Sequence, residues 1–113
     1  MRDLEVDTET AVVAEAWKRW GIKGSKLRIL GDDGYPDRIF WIPGGRPMMI
    51  EFKRSGFDLE PKQEYIHDEL KRLGYDVEAH DNTISALQAL ARAVEAAKKA
   101  SKSANTLRTP KVR

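Results

Sequence analysis

The order in which helical and extended segments alternate is the feature that most constrains the fold of this chain. Three segments carry apolar residues at helical spacing, and they cover residues 7–20, 61–73 and 82 to about 100. Short alternating or β-branched and aromatic runs predict strands at residues 26–30, 38–42, 48–53 and 75–79. The order α-β-β-β-α-β-α therefore predicts an α/β fold, with helices flanking a mixed sheet.

Length and composition predict one folded domain. The chain has 113 residues, of which 41% are hydrophobic, enough for one compact core. It contains no Cys, which excludes a disulfide framework and a thiolate metal site. The N-terminus is polar and acidic, and no apolar run approaches the roughly 20 residues that span a bilayer. We therefore expect a cytoplasmic protein with no signal peptide and no membrane contact.

The C-terminal segment is basic. From Lys98 onward the chain has Lys and Arg but no acid, although the formal net charge of the whole sequence is only +2. The sequence predicts a domain of residues 1–100, followed by a disordered tail of residues 101–113. The tail either contacts a polyanion or only aids solubility, and composition favours neither interpretation.

Three polar side chains are candidates for a catalytic site. Asp37 follows Pro36 at the start of a predicted strand, and Glu51 and Lys53 lie two residues apart in another. Alternation puts Glu51 and Lys53 on one face of that strand. Phosphodiester hydrolysis uses this set of groups, because a Mg²⁺ ion takes one or two carboxylates and lowers the pKa of a bound water. Asp37, Glu51 and the Phe52 carbonyl would bind the metal, and Lys53 would position water or offset phosphate charge.

The same residues also have an ordinary structural explanation. A Glu and a Lys on a solvent-exposed strand face are common, and an Asp after Pro is a usual turn residue. The catalytic interpretation also makes a geometric demand. A two-residue turn centred on Gly44 and Gly45 would pair Asp37 with Phe52. Asp37 would then point to the face of the sheet opposite Glu51 and Lys53. The site therefore predicts a bulge or an odd-length loop in residues 43–47.

Two further polar residues share helix stripes with apolar ones. Glu9 falls near the centre of the apolar stripe of the first helix, whereas Glu15 falls well off it. A carboxylate aimed at the core is costly unless it is paired or binds a metal. Alternatively, Glu9 is a first-turn acid that the helix dipole favours. Gln63 shares its stripe with Ile66, although the first turn of a helix is often exposed.

The remaining polar candidates have structural interpretations. His67 and His80 lack metal-ligand spacing, and the sequence predicts a helix-surface position for His67 and a strand-end position for His80. Asp32 and Asp33 are interpreted as shaping a turn.

Four motifs in order resemble a VRR-NUC domain of the PD-(D/E)XK superfamily. They are Gly34 to Arg38 (GYPDR), Ile50 to Lys53 (IEFK), Pro61 to Gln63 (PKQ) and Leu70 to Val77 (LKRLGYDV). The resemblance covers about residues 7–95. It implies a restriction-endonuclease-like fold, dependence on Mg²⁺ or Mn²⁺, and cleavage of DNA.

The resemblance also assigns roles by position. It implies that Asp37, Glu51 and Lys53 are catalytic, that Glu9 is an accessory acid on the metal side, and that Gln63 is a site residue. Stand-alone members of the family, often from phages, act as homodimers on branched DNA. The expected activity is thus an endodeoxyribonuclease on branched DNA such as a Holliday junction, in a bacterial or phage-infected cell. The alternatives are a nicking or restriction-like nuclease on duplex DNA, a non-catalytic DNA-binding module, and a structural protein in which these charges form salt bridges.

Overall fold

The computed structural model describes residues 5–107, and the surroundings of side chains for residues 7–102. The elements follow the predicted order, which confirms the α/β class. They are α1 (Glu5–Trp20), β1 (Lys23–Lys26), β2 (Arg38–Trp41), β3 (Met48–Phe52), α2 (Pro61–Arg72), β4 (Asp76–His80) and α3 (Thr83–Leu107). In this part of the chain, none of the helices combines the length and apolarity that crossing a bilayer requires.

The strands form one mixed sheet in the order β1-β2-β3-β4. The first two neighbouring pairs are antiparallel hairpins, and β4 lies parallel to β3. A parallel neighbour requires a crossover connection, and α2 supplies it here. This arrangement makes β3 a central strand, and all of its residues are buried.

The main core lies between one face of the sheet and the helices α1 and α3. Phe40, Ile50 and Phe52 point to this face, and the rings of Phe40 and Phe52 meet edge to face with centroids 6.4 Å apart. Helix residues Val12 and Leu90 complete the centre of the core. The opposite face of β3 and β4 is covered by α2, which contacts β4.

The first strand differs from its prediction. The structure places β1 at Lys23–Lys26 rather than at residues 26–30, where Ile29 and Asp32 instead form an isolated bridge around a tight turn. Pairing with β2 outweighs the low strand propensity of this stretch, as cross-strand contacts often do. Gly24 is required there, because a Cβ atom would lie 2.6 Å from the Phe40 ring.

Three other sequence-based placements need correction. The last helix continues to Leu107, so residues 101–107 are helical, and residues 108–113 of the predicted tail lie outside the described residues. Trp17 belongs to the apolar residues at helical spacing in the first predicted helix, which predicts an inward position, but it is exposed. His67 was expected on the helix surface, but it is only 2% exposed because α2 turns this side chain toward the sheet. His80 ends β4 as predicted, with its ring nitrogens 2.8 Å from Ser85 Oγ and 2.7 Å from Glu78 Oε1.

Candidate active site

The register of the β2–β3 hairpin determines which side chains share the candidate site. Arg38 pairs with Ile50 and Phe40 with Met48, so the next pair outward is Asp37 and Glu51. Cross-strand partners point to the same face of a sheet, with Cβ atoms about 4.5–5.5 Å apart. The loop between the strands therefore has the odd length that the catalytic interpretation predicts.

The hairpin loop owes this length to a turn that starts before the two glycines. Gly45 N–H donates to the Ile42 carbonyl oxygen at 3.0 Å, and Gly44 has a φ of 72°. A Pro followed by a Gly with positive φ is typical of a type II turn. A Cβ on Gly45 would lie 2.7 Å from that of Ala97, so α3 holds this turn against the sheet. The turn thus sets the parity that brings Asp37 opposite Glu51.

Asp37 is fixed at the mouth of β2 by two hydrogen bonds. Its Oδ2 accepts a hydrogen bond from the Phe52 backbone N–H at 2.8 Å. Its carbonyl oxygen accepts another from the Leu27 N–H at 3.0 Å. The carboxylate is therefore tied to the end of β3, next to Glu51.

Glu51 is a buried carboxylate held by a hydrogen bond from Gln63 and an ion pair with Lys53. It is 4% exposed, and its Oε2 accepts a hydrogen bond from Gln63 Nε2 at 3.0 Å. Lys53 Nζ lies 3.7 Å from the same oxygen, and the Lys53 side chain is itself mostly buried. A buried charge needs such partners, because desolvation alone would disfavour it. The structure therefore brings Glu51, Lys53 and Gln63 together, as strand alternation predicts for the first two and the resemblance implies for Gln63.

Gln63 is oriented by the start of α2. Its Oε1 accepts a hydrogen bond from the backbone N–H of Glu60 at 2.9 Å, which is half of a capping box. Because the amide oxygen is engaged there, the NH₂ group points toward Glu51. The first turn of α2 therefore positions a donor at the candidate site.

Glu9 lies elsewhere, which corrects its predicted place beside the other acids. It is buried at 8% exposure, as the helical spacing predicts, whereas Glu15 pairs with Arg19 on the helix surface. Its Oε2, however, lies 2.6 Å from Arg38 Nε and 3.5 Å from Lys26 Nζ. Arg38 shares the sheet face of the main core, opposite the face of Asp37 and Glu51.

A buried charge pair thus explains why Glu9 points inward. Within residues 5–107, no three His, Cys, Asp or Glu side chains gather as a metal-binding group, so Glu9 does not join the two site acids.

His67 is a residue near the site that the sequence analysis missed. It lies one turn after Gln63 in α2, and its Nε2 is buried without a hydrogen-bond partner. Burial lowers the pKa of His67, and the positive charges of Lys71 and Lys53 lower it further. The imidazole is therefore neutral at physiological pH. The sequence feature that indicates its inward position is the helical spacing of His67, which lies on the same side of α2 as Gln63 and Ile66.

A cleft of about 550 Å³ opens beside Asp37. The connection from β1 to β2 forms most of its wall, and Lys62 at the start of α2 closes it. Lys62 Nζ lies 2.8 Å from Asp33 Oδ1, and the hydrogen bond from Lys62 lowers the pKa of Asp33. No sequence motif predicts this cleft, because it forms where the β1–β2 connection contacts α2, and these two segments are far apart in the sequence.

The donor atoms of the site fit a hard divalent cation. Asp37 and Glu51 offer carboxylate oxygens on one face, and the Phe52 carbonyl follows Glu51 directly in the chain. Mg²⁺ is commonly bound by one or two carboxylates while it keeps several waters. The chemistry of this set therefore suits Mg²⁺ or Mn²⁺ better than a softer metal.

Comparison with known proteins supports the fold. No protein-family model and no curated protein matches the sequence. A solved structure named "VRR_NUC domain protein" is similar, with 19% identity, a TM-score of 0.69, and coverage of 84% of this chain and 91% of that one. Another, named "VRR_NUC domain", has 19% identity, a TM-score of 0.64, and coverage of 81% and 96%. The chain therefore shares the fold of these VRR_NUC structures, which confirms the predicted α/β class.

Proposed function

We propose that this chain is a divalent-metal-dependent endodeoxyribonuclease of the VRR-NUC type. One observation carries the proposal: Asp37, Glu51 and Lys53 lie at one end of one sheet face, where the buried Glu51 accepts a hydrogen bond from Gln63 of α2 and forms an ion pair with Lys53. The fold shared with VRR_NUC structures supports it.

The chemistry follows from the charges at this end of the sheet. A divalent cation held by Asp37 and Glu51, with the Phe52 carbonyl, would stabilise the negative charge that develops on the phosphate oxygens. The Lys53 ammonium group, with 16% of its side chain exposed, donates a hydrogen bond to a phosphate oxygen or to the attacking water. Gln63 is a positioning residue, because it touches Glu51 and holds its Oε2 in place.

Each alternative interpretation predicts a different result. A non-catalytic DNA-binding module with two acids facing a phosphate would bind more tightly when those acids were neutralised. If the charges were only salt bridges, replacing Glu51 and Lys53 together by apolar residues would be neutral or stabilising.

The preferred substrate is part of the proposal. We place the activity on branched DNA such as a four-way junction. Two cuts are needed to resolve a junction, so one site per chain implies a homodimer. Nicking or restriction-like cleavage of plain duplex is the second candidate substrate class.

The test is cleavage of labelled four-way junction, flap and duplex DNA with Mg²⁺, Mn²⁺ or EDTA. We expect cleavage with either metal ion and none with EDTA. Asp37→Asn and Glu51→Gln should abolish most of it, whereas the matched control Glu15→Gln should cleave like the wild type. Wild-type rates in folded Asp37→Asn, or full activity in EDTA, would refute the assignment.

A further inference from the structure

The connection between β1 and β2 presents an apolar side chain to solvent. We call residues 27–36 the prong. Leu30 is 99% exposed at its tip, and the neighbouring Ile29 is 40% exposed. Single exposed apolar residues are normal on protein surfaces, so the exposure alone decides nothing. Leu30 differs from other exposed apolar residues because the prong is fixed by hydrogen bonds and by packing on α2, and because it lies beside Asp37.

The prong is anchored at its tip and at its base. At the tip, the Asp32 N–H donates to the Ile29 carbonyl oxygen at 3.0 Å, and Gly31 has a φ of 82°. Leu30 therefore occupies the first corner of a tight turn that holds its side chain outward. At the base, the Gly34 N–H donates to Asp32 Oδ1 at 3.1 Å.

Helix α2 supports the prong from behind. The ion pair between Lys62 and Asp33 links the two. A Cβ atom on Gly34 would lie 2.8 Å from an Ile66 side-chain carbon, so the backbone of the prong is seated directly on α2. The tip is consequently a fixed projection with an apolar end.

The prong stands directly beside the candidate catalytic acid. The Leu27 N–H donates to the Asp37 carbonyl oxygen at 3.0 Å, and Leu30 is three residues beyond Leu27. At most about 3.6 Å per residue separates Leu30 from Leu27, or roughly 11 Å in all. With the 3.0 Å from Leu27 to the Asp37 carbonyl oxygen, Leu30 lies within roughly 14 Å of that oxygen, or about four base steps of DNA at 3.4 Å each. The same residues wall the cleft that reaches Asp37.

The three cations that line the cleft (Lys26, Arg28 and Lys62) are matched in number by three acids, so a contact with a backbone phosphate depends on Arg28. Arg28 is exposed on the prong and, among the residues whose side chains are described, forms no ion pair. Asp33 is engaged with Lys62, and Asp32 accepts from the Gly34 backbone, so both acids hold the loop. A cation beside an apolar tip is the combination that DNA-kinking proteins use, in which Leu or Ile enters a base step. A tip of two side chains is far too small for a stable protein interface.

We propose that Leu30 is a wedge that enters between bases of the DNA, within about four base steps of the cleaved bond. Ile29 supports it from the side, and Arg28 contacts a backbone phosphate. This inference rests on the proposed nuclease function and extends it to substrate choice. Unstacking costs least where bases are already unpaired, so the wedge favours branched or distorted DNA over intact duplex.

The first measurement is fluorescence of 2-aminopurine placed, in separate substrates, at each of about the first four base steps from the cleaved bond. Ca²⁺ replaces Mg²⁺, so that binding is observed without cleavage. Leu73→Ala is the matched control, because Leu73 is also exposed (64%) but follows the far end of α2. Wild type and Leu73→Ala should raise the fluorescence on binding, and Leu30→Ala should give only a small rise. Leu30→Met, which keeps an apolar tip, should restore it.

The second measurement is cleavage with Mg²⁺. Leu30→Ala should cut intact duplex at least about tenfold more slowly, but DNA with two unpaired bases at the wedge position less than about threefold more slowly. An unchanged melting temperature is expected, because the Leu30 side chain makes almost no buried contact.

Each other outcome overturns a specific claim. Equal fluorescence rises in Leu30→Ala and Leu73→Ala, or no rise in a wild type that binds DNA, would overturn the wedge. Cleavage that still requires Asp37 and Glu51 would then leave the nuclease proposal standing. Equal slowing on intact and unpaired DNA would also overturn the wedge. A wild type that neither binds nor cleaves DNA would overturn both proposals.

Discussion

Replacing Glu9 by Gln separates a structural role for this acid from a role in metal binding. The Glu9 side chain is 10% exposed and the Arg38 side chain 18%, and their hydrogen bond measures 2.6 Å. Glu9→Gln keeps the shape but removes the negative charge. Arg38 then keeps the Gly24 carbonyl oxygen at 3.0 Å and a neutral amide oxygen as acceptors, but it loses its counter-charge. A hydrogen bond to a charged group contributes about 1.5–3 kcal/mol, against about 1 kcal/mol for a neutral one.

The expected loss of stability is therefore about 2 kcal/mol, since a partly buried cation also loses its counter-charge. For a domain of this size, that loss lowers Tm by roughly 10 °C. Thermal and urea unfolding, followed by circular dichroism, measure it. Glu15→Gln is the matched control, because its pair with Arg19 is a surface i,i+4 contact that contributes about 0.5 kcal/mol or less.

The opposite result would refute this assignment. If Glu9 were a metal-side acid, Glu9→Gln would leave Tm unchanged without metal and would weaken metal-dependent cleavage. A double-mutant cycle of Glu9→Gln with Arg38→Met gives a second check. Coupling below about 0.5 kcal/mol would mean that the two residues act independently.

The remaining predictions concern the site, a buried histidine and the tail. Lys53→Ala should slow cleavage by about 10²–10³-fold with an unchanged circular dichroism spectrum, measured under single-turnover conditions. Because the pKa of His67 is lowered by folding, stability is fully present above its unfolded pKa and falls as pH drops below about 6.5. His67→Phe should reduce the difference in Tm between pH 7.5 and pH 5, and an undiminished difference would contradict the buried neutral state. Removing residues 108–113, which carry three of the basic side chains, should reduce the log–log salt slope of DNA binding by up to about 2.7, and an equal slope would exclude phosphate contacts by this segment.

Patterns local to one strand or helix were sufficient to predict much of the site. Alternation in β3 places Glu51 and Lys53 on one face, and the parity argument correctly requires an odd loop. Pro61 marks the start of α2 correctly, because its missing N–H is unpaired in a first turn anyway. For Gln63 the shared stripe with Ile66 was not sufficient, and it was the resemblance that implied a place at the site beside Glu51.

Features that depend on tertiary packing were not predictable in the same way. Helical spacing shows that Glu9 points inward, but it does not show which face of the sheet α1 covers. That face determines whether Glu9 binds Arg38 or lies beside the metal-binding acids. The strand β1 exists because Gly24 passes closely over Phe40 and pairs with β2, not because its residues favour extended structure. The burial of His67 depends on how α2 lies on the sheet.

The double bonding of Gln63 restricts which residue can occupy that position. A capping box accepts either Gln or Glu at the third residue of a helix. Here the same side chain must also donate to the buried carboxylate of Glu51, which only the amide can do. Gln63→Glu would keep the helix start but place two acids in contact, so each would tend to take up a proton or draw in a cation. One amide group therefore contributes both to the start of α2 and to the charge state of the site. A substitution at Gln63 that changes one of these properties also changes the other.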